Sequence, residues 1–319
     1  MKLKKNLGGD KRGLMGKEKI VAIVGPTGVG KSELGIFLGE RLDGEIINFD
    51  SIQFYKELNI GTAKPDKEER KKVPHHLYDL LELDEEFNAA KFVEIADSLI
   101  KEIWKRGKLP ILIGGTGLYL RALEYGLFPI EIPQEIRENI RNLAEKNPFS
   151  LYEELKRLDP EYAKKISPKD KVRITRALEV IHTSGKPFSE FHKENPFFGK
   201  KRYNIIKIGL TLPRKELYKK INLRVIKMIE KGWIKEVETL LEKGYSPDLK
   251  PFKAIGYKYI IKYLQGKLSW EKAIELIQRD TRRYAKRQLT WFKKEPDIYW
   301  FSPKEKEKIF AFIKDKLKN

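Results

Sequence analysis

From Lys19 to Leu123 the chain switches between two hydrophobic periods. KIVAIVG (Lys19 to Gly25) is a continuous apolar, β-branched run ending in glycine, the pattern of a strand buried on both faces. The spacing that follows predicts a helix from Lys31 to about Leu42, then a second strand, EIINFD (Glu45 to Asp50). NAAKFVEIADSLIKEIWKRG (Asn88 to Gly107) places apolar residues at helical spacing behind Asn88, a good N-cap. LPILIGG (Leu109 to Gly115) reads as a third strand, and Leu118 to Leu123 as a further helical stretch. Alternation of this kind predicts an α/β core with a doubly wound parallel sheet.

The pattern changes at Phe128. Up to about Tyr203 strand-like runs vanish, prolines recur (Pro129, Pro133, Pro148, Pro160, Pro168, Pro187, Pro196), and the segments between them are polar and helical. This predicts a helical insertion over residues 128–203, dividing the core into 19–127 and 204–319. NIIKIGLTL (Asn204 to Leu212) returns as a strand of the same sheet, and DIYWFS (Asp297 to Ser302) reads as a last edge strand after a long helical stretch.

Chemistry enters at the end of the first strand. Gly25-Pro26-Thr27-Gly28-Val29-Gly30-Lys31-Ser32 fits G-x-x-x-x-G-K-[ST] between a strand and a helix, the context this phosphate loop requires. Its backbone amides and the helix N-terminus would cradle phosphate oxygens; Lys31 would neutralise a phosphate, and the Ser32 hydroxyl would ligate Mg²⁺. A hydrolysing P-loop NTPase usually carries an acid after a later strand. Here the third strand ends in Gly114-Gly115-Thr116-Gly117, and the carboxylate follows the second strand, in Asp50-Ser51-Ile52-Gln53. An acid there faces the phosphate loop and can take a proton from an acceptor attacking a bound phosphate ester, which favours a group transferase over a mechanical ATPase. The alternative for Asp50 is a helix N-cap.

Charge narrows the partner. Lys plus Arg is 66 against 46 acids, a net charge of +20, which favours a polyanion: nucleic acid or an acidic membrane surface. No apolar run approaches the ~20 residues of a membrane helix. With zero cysteines and four histidines, a disulfide scaffold, a thiol nucleophile and a cysteine-ligated zinc are excluded, and a histidine-rich metal site is not expected. Residues 1–18 are basic without the apolar middle of a signal peptide; they read as a disordered leader, with Met15 an alternative start, and the expected compartment is the cytoplasm.

Trp270 to Glu295 lacks Gly and Pro. Ala273, Ile274, Ile277, Tyr284, Gln288 and Phe292 fall near one face; Arg279, Arg282, Arg283, Lys286, Arg287, Lys293 and Lys294 fall largely on another. Basic residues interleaved with Tyr284, Trp291 and Phe292 suit a phosphate backbone and an unstacked base, and a solvated surface helix is the bland alternative. Lys200-Lys201-Arg202 and Lys164 to Arg176 extend the positive character.

Taken together, GPTGVGKS, DSIQFYKELNIGTAKP (Asp50 to Pro65), PHHLYD (Pro74 to Asp79), IGGTGLYLRAL (Ile113 to Leu123), RITRALEV (Arg173 to Val180), GLTLPR with RVIKMIEKG (Gly209 to Gly232), AIGYK (Ala254 to Lys258) and AKRQLTWFK (Ala285 to Lys293) resemble the tRNA dimethylallyltransferase family from about Lys19 to Ser302. Lys253 stands where that family often has arginine, Tyr259 where an acid often follows, and the zinc-finger extension of eukaryotic relatives is missing. The resemblance implies transfer of a dimethylallyl group from its diphosphate to the exocyclic amine of the adenosine 3′-adjacent to the anticodon. It implies a tRNA anticodon stem-loop and dimethylallyl diphosphate as partners, Mg²⁺ as cofactor, no membrane and a monomer. By the same resemblance Asp50, Thr27, Thr116 and Arg137 are catalytic. Gly25 to Ser32 and Arg224 bind diphosphate. Asp50, Ser51, Ile52, Gln53, Thr116, Arg137, Arg173, Arg176, Gly256, Tyr257, Lys286, Arg287, Gln288, Trp291 and Lys293 meet tRNA. The rivals are an adenylate isopentenyltransferase, a small-molecule kinase and a non-catalytic RNA-binding protein with a vestigial loop; intact Lys31, Ser32 and Asp50 argue against the last.

Overall fold

The fold is taken from a computed structural model that describes residues 18–127, 130–194 and 200–318. In chain order the elements are β1 (Lys19–Val24), α1 (Lys31–Leu42), β2 (Gly44–Asn48), α2 (Lys67–Lys72), β3 (His75–His76), α3 (Ala89–Lys105), β4 (Leu109–Ile113), α4 (Gly117–Tyr125), α5 (Gln134–Lys146), α6 (Pro148–Leu158), α7 (Pro160–Ala163), α8 (Lys171–Ser184), α9 (Phe188–Glu194), β5 (Asn204–Leu210), α10 (Arg214–Glu230), α11 (Trp233–Glu242), α12 (Tyr257–Leu264), α13 (Trp270–Phe292), β6 (Ile298–Phe301) and α14 (Lys306–Lys318). They form two compact units: residues up to Glu124 together with Arg202 onward, and Tyr125–Lys201. The leader expected over residues 1–18 lies, apart from Glu18, outside the described residues.

In the larger unit the described strands form one sheet in the order β3-β2-β4-β1-β5-β6, every neighbouring pair parallel. Alternate residues of β1 serve opposite faces. Ile20, Ala22 and Val24 join a core with α3, α4, α11, α12 and α13, while Val21 and Ile23 join one with α1 and α14. A strand covered on both faces has no polar side to present, which is why the run reads as continuously apolar. Three elements went unread in the sequence: α2, six charged residues with no apolar face; β3, two residues long; and α14, whose apolar Ile309, Ile313 and Leu317 are spaced by four among lysines.

Because all strands run the same way, the loops leaving β1, β2 and β4 emerge at one edge of the sheet. That edge is where a doubly wound fold places its ligand. The smaller unit has its own apolar core, from Ile132 and Ile140 through Leu151 and Leu155 to Ile174, Leu178, Ile181 and Phe188. Buried Asp159 fastens α9 to it, accepting from the Ser189 backbone N–H (2.6 Å) and hydroxyl (2.8 Å). Among the described residues no helix is long and apolar enough to cross a membrane.

Candidate active site

The phosphate loop departs from β1 with a backbone that only glycine accepts. Gly25 has φ 138°, and a Cβ there would lie 2.6 Å from the Leu210 carbonyl oxygen at the end of β5. Gly30 enters α1 in the left-handed region, at φ 109°. The loop is pinned from two sides. Lys31 Nζ bends back to donate to the carbonyls of Gly25 (2.9 Å) and Pro26 (3.0 Å). The Thr27 backbone N–H donates to Gln288 Oε1 of α13 (2.9 Å). Ser32 is exposed in the first turn of α1.

Asp50 follows β2. Its backbone N–H donates to Asn48 Oδ1 (2.9 Å), and its Oδ1 accepts from the Ile52 backbone N–H (3.2 Å). The N-cap alternative therefore holds locally, but it caps a turn rather than a helix. Burial pushes the Asp50 carboxyl up, against the opposing pull of that amide and of the Lys31 and Arg224 charges. The same burial lowers Lys31 to about 8, with the Asp50 carboxylate partly offsetting it and the Arg224 charge adding to it. The loop after β4 completes the group: the Ser51 N–H donates to Thr116 Oγ1 (3.1 Å), whose hydroxyl points to Ser51 Oγ (3.4 Å).

Thr27, Asp50 and Ser51 border a cavity of about 380 Å³ whose other polar lining is Thr62, Arg224, Lys253, Thr281, Tyr284 and Arg287 and whose apolar lining includes Ile52, Val225, Met228, Trp233, Ile255 and Tyr257. Period 3.6 explains the α10 wall: Ile221, Arg224, Val225 and Met228 share one face. The opposite wall is a loop held by one carboxylate. Glu236 of α11 accepts from the backbone N–H groups of Asn59 (2.9 Å), Ile60 (2.6 Å) and Gly61 (3.2 Å), and from the Tyr257 hydroxyl (2.7 Å).

Several expected tRNA contacts sit elsewhere than the surface. Gln288 is 5% exposed and bridges the site, accepting from Thr27 while its Nε2 donates to the Gly115 carbonyl (3.2 Å). Tyr257 is 1% exposed, its hydroxyl bound to Glu236, so it serves as cavity wall. Gly256 turns at φ 97° against Trp233. Gln53 spends its amide on the Thr62 carbonyl (2.9 Å), and Trp291 is half-buried beneath the Arg121 guanidinium (4.3 Å). Lys286 and Arg287 are exposed on α13 and Lys293 just past its end; Arg287, expected as a tRNA contact, also lines the cavity. Arg202, expected to extend a free basic patch, instead pairs with Asp97 and donates to the Leu123 carbonyl (3.2 Å). In the smaller unit, Arg137 is exposed on α5, Arg173 pairs with Asp170 (2.9 Å), and Arg176 pairs with Glu179 (3.3 Å).

Sequence reasoning missed Glu236 and Trp233, because nothing local marks a carboxylate or an indole that acts across more than a hundred residues. No group of three or more His, Cys, Asp or Glu able to hold a metal occurs among the described residues. Oxygen donors do stand at the crevice, in Ser32 and Asp50. Mg²⁺ keeps several waters and binds through one or two such ligands plus substrate phosphates, so the residues fit a metal carried in with a diphosphate.

A family model described as IPP transferase matches residues 53–295. The tRNA dimethylallyltransferase of Geobacter sulfurreducens is 48% identical over 289 residues, covering 89% of this chain and 92% of that protein. The enzyme of the same name from Caldanaerobacter subterraneus is 45% identical over 311 residues, covering 94% and 99%. Among solved structures, the full-length tRNA isopentenylpyrophosphate transferase of Bacillus halodurans aligns with TM-score 0.71 and 40% identity, covering 94% of this chain and 97% of that one. A eukaryotic dimethylallyltransferase acting on tRNA aligns with TM-score 0.82 and 30% identity, covering 94% and 80%.

Proposed function

The chain belongs to the IPP transferase family, and from that premise we propose that it transfers a dimethylallyl group from dimethylallyl diphosphate to the exocyclic amine of the adenosine 3′-adjacent to the anticodon of tRNA. The observation that carries the reading is the meeting of Asp50, Thr27 and Arg224 on one cavity that also has an apolar stretch, Ile52, Val225, Met228, Trp233 and Ile255. One end suits a diphosphate and a proton acceptor, the other an uncharged branched chain.

In the reaction the allylic C1–O bond breaks, the N6–C1 bond forms, the amine proton passes to Asp50, and diphosphate leaves. Cleavage concentrates negative charge on the diphosphate. The loop amides, the α1 N-terminus, Lys31 and Arg224 stabilise it. A bound Mg²⁺, held by Ser32 and substrate oxygens, would add positive charge to the leaving group. An aromatic amine is a poor nucleophile, so the base has to be close and only moderately weak. Burial raises Asp50 toward that range while Lys31 and Arg224 keep it ionisable. Thr116, bonded to Ser51, would hold the amine or its adenine edge. The base must leave its stack to reach the cavity, as in other enzymes acting on nucleobases. Lys286, Arg287 and Lys293, with Arg137, Arg173 and Arg176 of the helical unit, supply cationic surface for the stem-loop backbone.

The test is to incubate the protein with radiolabelled dimethylallyl diphosphate and either undermodified tRNA or AMP. Label on tRNA supports the reading, label on AMP alone makes the protein an adenylate isopentenyltransferase, and tRNA-stimulated ATP hydrolysis at the turnover rate would overturn both.

A further inference from the structure

We infer that Trp233 is the end wall of the allylic pocket and sets the length of the prenyl donor at one isoprene unit. The inference rests on the transferase reading above. With the diphosphate on the phosphate loop and the amine at Asp50, the uncommitted lining is mainly apolar, from Ile52, Val225, Met228, Trp233, Ile255 and Tyr257, with Lys253, Thr62 and Thr281 as its polar members. The hydrocarbon tail is the part of the reactants that fits the apolar stretch, since a charged group set against it would lose its hydration without a partner.

This end leads into the main core and not to solvent. Val225, Met228, Trp233 and Tyr257 belong to the same buried cluster as Phe252 and Ile260. Trp233, 2% exposed, is the largest side chain there. It is also the most firmly seated. A Cβ on Gly61 would lie 2.0 Å from its Nε1, and one on Gly256 would lie 1.9 Å from its Cη2. The indole is thus clamped between two residues that have no side chain, while Tyr257 meets it edge-on at 5.6 Å. Glu236 fixes one jaw of this clamp through the Gly61 N–H, and it fixes Tyr257 through the hydroxyl. A wall so held cannot swing aside to admit a longer chain.

Volume points the same way. About 380 Å³ is near the small end of the ~300–1,000 Å³ usual for ligand sites. The prenyl chain and the entering base share this space, so a second isoprene unit would compete with the base for it while the indole stays.

The experiment compares dimethylallyl with geranyl diphosphate as donors to undermodified tRNA, using the wild-type chain, Trp233→Phe and Trp233→Leu, each checked by thermal melting. Wild-type kcat/KM should be at least about 100-fold lower for geranyl diphosphate, since each misfitting methylene in an apolar pocket is worth roughly 10- to 200-fold. The ratio should narrow at least tenfold in Trp233→Leu and by a smaller factor in Trp233→Phe. Wild-type activity with both donors within threefold would overturn the inference without any variant. So would a folded Phe or Leu variant that keeps the wild-type ratio. A wild-type chain that transfers no dimethylallyl group at all would instead remove the transferase reading itself.

Discussion

Changing Gln288 to Ala separates an internal strut from a tRNA contact. The amide of Gln288 is buried and ties α13 to two catalytic loops at once, accepting from the Thr27 N–H at 2.9 Å and donating to the Gly115 carbonyl at 3.2 Å. Alanine orphans both backbone groups. Each costs about 1–3 kcal/mol when left buried without a partner, so the expected destabilisation is roughly 2–6 kcal/mol. For a unit of this size that lowers Tm by about 4–24 °C, at ~2–4 °C per kcal/mol. Freed from its anchor, the loop carrying Thr27 should bind inorganic diphosphate more weakly, whereas tRNA affinity should hold. Gln288→Glu should be no better, because its second oxygen would face the Gly115 carbonyl. Differential scanning calorimetry and diphosphate titration read the first effects, and filter binding reads the last. An unchanged Tm together with weakened tRNA binding would refute the strut and return Gln288 to the tRNA contacts, where the family resemblance had placed it.

Asp50→Asn should slow single-turnover transfer about 10²- to 10⁴-fold with little change in tRNA affinity. The wild-type rate should climb with pH through a pKa above the usual aspartate value, a limb that the Asn variant lacks; near-normal transfer would remove Asp50 as the base. Lys31 is lowered to about 8, so above that pH the free enzyme holds it largely neutral. Binding diphosphate there should draw in a proton, measurable by calorimetry in buffers of different ionisation enthalpy, and Lys31→Met should abolish the uptake. The same lowering means that Lys31 adds stability as pH rises from about 8 toward 10.5, because the unfolded chain then holds the extra proton. Lys286→Gln should reduce the slope of log affinity for tRNA against log salt by roughly 0.7–0.9 and leave diphosphate binding intact. Arg287→Gln, on the cavity rim, should weaken both, and identical behaviour of the two variants would place Arg287 outside the crevice.

How much of this was legible in the sequence follows from how local each signal is. The phosphate loop could be read outright because strand, glycines and helix are contiguous, and α1 runs over the residues its period predicted. Asp50 could be placed because parallel strands send their C-terminal loops to one edge, so a carboxylate after β2 has one direction to face. The strand β3 could not be found: two histidines between a proline and a turn carry no period. On α13 the period located the buried face, but it could not tell why Gln288 sits on it. A polar residue on an apolar stripe looks like a surface contact until its partners, 261 and 173 residues away, are known. Arg202 failed for a similar reason, since a basic run reads as solvated whether or not a distant Asp97 neutralises part of it.

The opposed shifts of Lys31 and Asp50 have one origin, and it bears on catalysis. Both groups are taken out of water in the same crevice, and burial disfavours whichever form is charged: lysine falls, aspartate rises. Arg224 adds a second cation that also feels the cost of burial. With Arg287 and Lys253 also on the cavity lining, cations outnumber the one carboxylate and leave the crevice short of negative charge before substrate arrives. A diphosphate supplies it, restoring the lysine proton through direct attraction. The same negative charge acts on Asp50 in the other direction, raising its proton affinity further. Donor binding would therefore strengthen the leaving-group clamp and the base in a single step. On this argument the base limb of the rate profile should sit at higher pH in the donor-bound enzyme than in the free enzyme. Finding the limb at the same or lower pH in kcat than in kcat/KM for the donor would break the electrostatic link between the two residues.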